Sequence, residues 1–167
     1  MDEQCHRRLS YTESETKILL EDGITVAGKT LRETMAALGH AKAYDYMFTL
    51  IGKIGVSEQD ILAMHGMLDG GMETGTAGEY RTTAVFVTGT TFKFPPAGEI
   101  PVLMQTLFAH TMPGLASLHP VVQSAKIHKE IVTVHPFSDG NGRVARLAMN
   151  TLLIQYGYMP VQIYPVI

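Results

Sequence analysis

Twelve consecutive residues, 135–146, hold the side chains best able to do chemistry: His-Pro-Phe-Ser-Asp-Gly-Asn-Gly-Arg-Val-Ala-Arg. Pro136 stops a helix that ends at His135, and Gly140 and Gly142 let the backbone turn tightly. Asn141 is a good N-cap for a helix that starts here. The free N–H groups and positive dipole end of that helix face the turn, and glycines at this place form a cradle for phosphate. Arg143, Arg146 and Asn150 sit at i, i+3 and i+7, on one helix face. Two guanidinium forks beside an anion nest point to more than one phosphate. Asp139 adds a hard oxygen of the kind that Mg²⁺ takes when it bridges phosphates. His135 titrates near neutrality and suits a general base. Taken singly, each of these has an ordinary explanation: a turn, a solvated helix face, a helix C-cap. Together they make a base, a metal ligand, an anion hole and charge clamps, the parts needed to transfer a phosphate ester.

The other histidines fit no metal pattern. His119, His128 and His135 are spaced at nine and seven, without HExxH or carboxylate partners. His128 falls on an apolar stripe and is expected to be a satisfied core histidine, as are His40, His65 and His110.

The elements that must position the loop are mostly helices. Thr30-Leu31-Arg32-Glu33 has the pattern of a capping box, and Leu31, Met35, Leu38, Ala43, Met47, Leu50 and Ile54 recur behind it at near-helical spacing. Gly39 weakens the middle of that stretch, and Gly52 and Gly55 fit its end. Ser57 caps a shorter helix with Ile61, Leu62, His65 and Leu68, ended by Gly70-Gly71. Residues 10–21 form another short helix. Ile100-Pro101 opens a helix to about Thr111, closed by Pro113-Gly114. Pro120 opens one that ends near Val134, and a last helix runs from the glycine loop to Gln155 or Tyr156. Tyr80–Phe94 differs: Thr82, Thr83, Val85, Phe86 and Val87 are β-formers, answered by Thr91, Phe92 and Phe94 across Thr88-Gly89-Thr90. The expectation is an all-α core carrying one β-hairpin. A lone two-stranded ribbon is marginal unless it packs on something or receives a strand.

Composition narrows the class further. The 167 residues hold 13 Lys+Arg against 16 Asp+Glu, a formal charge of −3, which argues against a nucleic-acid binder. Cys5 is the only cysteine, so no intrachain disulfide or Cys₄ zinc site can form. No run of about 18 apolar residues occurs, and the polar N-terminus does not read as a signal peptide. The expectation is one compact cytoplasmic domain over residues 1–167, with no membrane partner.

The segment His135–Arg146 resembles the signature of the Fic family, His-Pro-Phe-x-Asp/Glu-Gly-Asn-Gly-Arg-x-x-Arg, with every fixed position matched. Gly23–Asp45, Ala77–Thr83 (AGEYRTT) and the hairpin with its Pro95-Pro96 exit resemble the family too, so the likeness covers most of residues 10–160. The resemblance implies a helical core (about 10–160), a β-hairpin flap (about 80–94) and a catalytic loop (135–146). It also implies AMP transfer from Mg²⁺-ATP to a Ser, Thr or Tyr hydroxyl of a target protein. On it, His135 is the general base, Asp139 holds Mg²⁺, and Gly140, Asn141 and Gly142 form the anion hole. Arg143 and Arg146 clamp the outer phosphates, with Asn150 on the same nucleotide-binding face, and Phe137 anchors the loop in the core. Val85, Phe86, Val87, Thr88, Gly89 and Thr90 form the flap that aligns the target by strand addition.

Two departures and one discriminator accompany the resemblance. Many members carry an inhibitory helix, Ser/Thr-x-x-x-Glu-Gly/Asn-Asn; here the upstream slot reads Gln4-Cys5-His6-Arg7, with Cys5 at the glutamate position and Glu3 off register. That implies no self-inhibition in cis and high basal automodification. Relatives also continue past Ile167 into helix that walls the adenine site. The intact Gly-Asn-Gly-Arg stretch separates the chain from the kinase-like Doc branch, which carries Ala-Asn-Lys. Alternatives remain transfer of another phosphate-containing group, and a nucleotide-binding toxin or interaction module governed by a separate inhibitory partner or by self-association.

Overall fold

The computed structural model describes residues 11–69 and 76–162, and all regular structure among them is helical. α1 (Glu13–Lys17) opens on a capping box between Thr12 and Glu15 and widens into a π-turn over Ile18–Asp22. α2 (Leu31–Thr49) starts at the expected box. There the Glu33 N–H donates to Thr30 Oγ1 at 3.2 Å, and the Thr30 N–H donates to the Glu33 carboxylate at 2.7 Å. The helix ends before Ile54, which is 98% exposed. α3 (Glu58–Asp69) is capped by Ser57, whose Oγ accepts from the Asp60 N–H at 3.2 Å while Asp60 Oδ2 accepts the Ser57 N–H at 2.9 Å. The Gly70-Gly71 stop lies outside the described residues, as do the Cys5 slot and Ile167.

α4 (Ile100–Thr106) passes through a π-turn over Leu107–Thr111 into the single turn of α5 (Met112–Gly114). α6 (Pro120–Val134) and α7 (Asn141–Gln155) share the most extensive helix–helix packing and flank the glycine loop, residues 135–140. Their inner faces, Ile127 and Ile131 against Val144, Ala148 and Leu152, join Ile61, Met64 and Leu68 of α3, Ala43 and Met47 of α2, and Ile100 and Met104 of α4 in one core. Phe137, fully buried, ties the glycine loop into that core. No helix among the described residues is long and apolar enough to cross a membrane.

Gly39 is the contact point of α2 with α3. A Cβ there would stand 2.6 Å from the Met67 carbonyl oxygen and 3.0 Å from that of Leu68, both backbone atoms that cannot swing away. The residue that weakens α2 as an isolated helix is what lets α2 approach α3. Gly39→Ala is therefore expected to destabilise the fold by about 1–3 kcal/mol, the usual cost of overpacking, despite alanine's higher helix propensity. Urea denaturation measures it; a stabilised variant would show that the two helices separate at little cost.

The β-hairpin is corrected. The chain does reverse at Thr88-Gly89, with Gly89 at φ +88°, but its arms do not pair, and no strand occurs among the described residues. The arms are largely exposed, Phe86 at 93% and Phe92 at 52%, and a ribbon without a packed face gains too little to order itself. Backbone groups that a ladder would use bond elsewhere. The Phe92 N–H donates to Thr90 Oγ1, and the Thr83 and Pro95 carbonyls at the two ends accept from the Arg81 guanidinium.

Candidate active site

α6 ends on His135 itself, which adopts the left-handed conformation (φ 51°, ψ 59°) and is the only non-glycine residue with positive φ among those described. This costs a β-carbon-bearing residue about 1–2 kcal/mol and turns the chain sharply into Pro136. Phe137 then drops into the core, its ring stacked on His65 at 3.8 Å between centroids and 4° between planes.

Asn141 is not the cap expected from its type. Gly140 caps α7, at φ +76°, and Asn141 is the first helical residue. The Asn141 amide is 2% exposed and turns back over the loop, accepting the Phe137 N–H and donating to the Phe137 carbonyl, both at 2.8 Å. It closes the turn as one peptide group would close it on another. The first intrahelical bond of α7 runs from the Val144 N–H to the Gly140 oxygen, so the N–H groups of Asn141, Gly142 and Arg143 precede it. A β-carbon on residue 142 would stand 3.4 Å from Arg146 Nη1, in van der Waals contact with it.

His135, Asp139, Gly140, Asn141, Gly142, Arg143 and Arg146 line one cavity of about 410 Å³, together with Val85, Phe86 and Val87 of the flap. The size falls in the range of small-molecule sites. Thr88, Gly89 and Thr90 are not part of the lining; they form the exposed tip. Asn150 is not brought to the cavity either. Its amide is bound to the Val161 backbone, accepting the N–H at 2.8 Å and donating to the carbonyl at 3.0 Å, and so fastens the tail to α7. A larger groove of about 1020 Å³ between α1 and α2, which includes His40, shares Asp139 and Arg143 with the cavity.

Charge and protonation follow from these surroundings. His135 Nδ1 lies 3.2 Å from the Val132 carbonyl, which can only accept; Nδ1 therefore carries the proton and Nε2 keeps its lone pair. Burial holds the His135 pKa below the ordinary 6.5, with the Arg81 charge acting in the same direction and the Val132 bond and Asp139 opposing. The imidazole is thus neutral at pH 7. Arg143 pairs with Asp139 at 3.2 Å, whose other oxygen accepts the Gly140 N–H at 2.6 Å. Arg146 is half-buried and takes part in none of the ion pairs among the described residues, which are Lys17–Glu21, Lys29–Glu15 and Arg143–Asp139.

Three positioning groups went unread in the sequence. His65 Nδ1 accepts the Gly78 N–H at 3.0 Å, so its Nε2 bears the proton and hydrogen-bonds the Asp139 backbone, holding the loop from beneath. Phe94 packs on the His135 ring at 4.2 Å between centroids. Arg81 is 2% exposed and bonds the His135 carbonyl at 2.7 Å. The only signal for Arg81 was its place within Ala77–Thr83. His65, expected to be a satisfied core histidine, is one, with the catalytic loop as its partner. His128 is half-buried on α6.

A model of the Fic/DOC family matches residues 55–153. The chain is 40% identical over 156 residues to the Protein adenylyltransferase Fic of Drosophila grimshawi, covering 91% of this chain and 32% of that protein. It thus spans about a third of the length of the curated relatives it matches. Among solved structures it superposes on a Fic-domain signalling protein of Bacteroides thetaiotaomicron with a TM-score of 0.82 and 26% identity, over 93% of this chain and 61% of that one. A fragment of Fic-1 from C. elegans gives a TM-score of 0.75 at 30% identity, over 91% of this chain and 46% of that one.

Proposed function

The chain belongs to the Fic/DOC family, and on that premise we propose that it is a protein adenylyltransferase, moving AMP from ATP to a Ser, Thr or Tyr hydroxyl of a target protein. The observation that carries the reading is that one cavity is lined both by a histidine whose Nδ1 is bonded to a backbone carbonyl, leaving Nε2 as the basic nitrogen, and by a half-buried guanidinium, Arg146, that joins no ion pair among the described residues.

In this reading the target hydroxyl oxygen attacks the α-phosphorus while His135 Nε2 takes its proton. The bond from the α-phosphorus to the α–β bridging oxygen breaks, and pyrophosphate leaves with the electron pair. The N–H groups of Asn141, Gly142 and Arg143 receive phosphate oxygens, and Arg143 and Arg146 balance the charge that builds on the leaving group. Flap residues Val85–Val87 stand on the same cavity as His135, with unpaired arms to which an extended target segment can add.

Asp139 fits a Mg²⁺ ion that accompanies the nucleotide. Its carboxylate is exposed, and no cluster of three His, Cys, Asp or Glu that could hold a metal occurs among the described residues. A cation taken here would complete its shell from phosphate and water, as Mg²⁺ does. When bound, it would neutralise phosphate charge; the Arg143 guanidinium, now on Asp139, would turn to the phosphates.

The test is ATP labelled at either the α- or the γ-phosphate. Protein-bound label is expected from α alone. Label from γ alone would replace AMP transfer by kinase-type phosphate transfer, and tight ATP binding with neither label would leave a nucleotide-binding module. Arg146→Ala is expected to raise the KM for ATP about 10–100-fold, the worth of a charged hydrogen bond, with the thermal unfolding curve little changed. A large fall in stability instead would give Arg146 a structural role.

A further inference from the structure

Arg81 is the least exposed of the described Asp, Glu, Lys and Arg side chains, at 2%, yet it joins no ion pair among the described residues. All of its side-chain bonds go to carbonyl oxygens: Nε to His135 at 2.7 Å, Nη1 to Thr83 at 2.9 Å and Nη2 to Pro95 at 2.7 Å. Its main-chain N–H donates to the Pro136 carbonyl at 2.9 Å. These acceptors are not scattered. Thr83 and Pro95 bracket the exposed reversal, residues 84–94, and His135 and Pro136 are the first two residues of the catalytic loop.

The bonds act on what each carbonyl direction decides. Holding the oxygens of residues 135 and 136 sets ψ at both, and His135 is the one residue whose left-handed backbone needs outside support. α6 has no basic residue in its own last turn, so the cation at its negative dipole end comes from 54 residues earlier in the chain. The carbonyl of Pro95, also held, immediately follows Phe94, whose ring packs on the His135 imidazole. A single rigid fork therefore touches the backbone of the base and both hinges of the segment that lies across from it.

We propose that Arg81 is a positioning residue that aims the His135 ring and locks the flap in register with it. The inference rests on the adenylyltransferase reading for its kinetic part only. A planar guanidinium with divergent donors can meet three carbonyls at once; the ammonium of lysine keeps the charge without that geometry.

Arg81→Lys separates aim from charge. The expected result is a 10–100-fold fall in kcat for transfer of α-label to protein, the scale of a misplaced reacting group. The KM for ATP should stay within about twofold, because the cradle and both arginine clamps stand on α7. Independently of any turnover, isotope-labelled histidine is expected to show the His135 ring resonances displaced and those of His65 in place. Unchanged His135 resonances would overturn the proposal, as would an ATP KM that rises in step with the loss of kcat and of thermal stability. If the wild-type protein binds ATP but transfers no label, the adenylyltransferase reading fails, while the ring resonances still decide the role of Arg81. If Arg81→Lys does not fold, Phe94→Leu keeps every hydrogen bond and removes the ring that Arg81 holds on His135. Its kcat should fall with the ATP KM unchanged, and an unchanged kcat would count against the flap register.

Discussion

Replacing His135 by alanine is expected to lower transfer of α-labelled AMP by about 10²–10⁴-fold, the contribution of a positioned general base. ATP affinity should stay within about twofold. No other titratable side chain lining the cavity is placed to take over the proton: Asp139 is engaged by the Gly140 N–H and Arg143, and the arginines are cations. Equilibrium binding by calorimetry beside a single-turnover transfer assay checks both halves. A variant that retained the wild-type rate would remove His135 from the chemistry. The pH profile carries the same claim with a definite sign. The base must be unprotonated, and burial first, then Arg81, hold its pKa below 6.5. The rate should therefore reach a plateau on the alkaline side and fall with unit slope on the acid side, with the acid limb at lower pH than for an ordinary histidine. A limb centred above 6.5 would mean that the charged ring is favoured in the folded site.

The second large effect is on the loop. Asn141→Ala is expected to cost about 2–4 kcal/mol, because the Phe137 N–H and carbonyl each lose a buried 2.8 Å partner and unsatisfied buried groups are costlier than the bond itself is worth. Asn141→Asp should lose less, since a carboxylate still accepts the Phe137 N–H and its charge suits a helix N-terminus. It should nevertheless bind ATP far more weakly, by repulsion of the phosphates. Denaturant melts and calorimetry separate these outcomes. If Ala and Asp lost stability and affinity in parallel, the side chain would be no more than a packing element.

The contrast between Asn141 and Arg81 shows what the sequence can and cannot disclose. The loop was legible because its parts are local: Pro136 and Gly140 fix where α6 stops and α7 starts, and the arginine spacing follows from helix geometry. Asn141 was placed one position out of role, since a good cap residue and a good loop staple use the same amide. The flap reversal was legible from Gly89. Its lack of pairing was not, because the Thr83 and Pro95 carbonyls are taken by the Arg81 side chain rather than by a facing arm. Arg81 and His65 were missed for a common reason. Their partners are backbone groups, which every residue possesses, so no complementary side chain marks the other end of the bond. Gly39 misled only in isolation: its helix-weakening effect is intrinsic, and its benefit lies in α3.

α7 carries Arg143 in its first turn and Arg146 in its second, with no acidic residue in the first turn, so two cations crowd toward the positive end of a helix dipole. Among the described residues only Asp139, just outside the helix, pairs with one of them, Arg143. The resting protein thus carries a local frustration at its most functional turn: a sequence chosen for stability would place glutamates where these arginines are. A bound polyanion would relieve the conflict, so on the adenylyltransferase reading part of the binding free energy for the triphosphate would be stability that the empty fold forgoes.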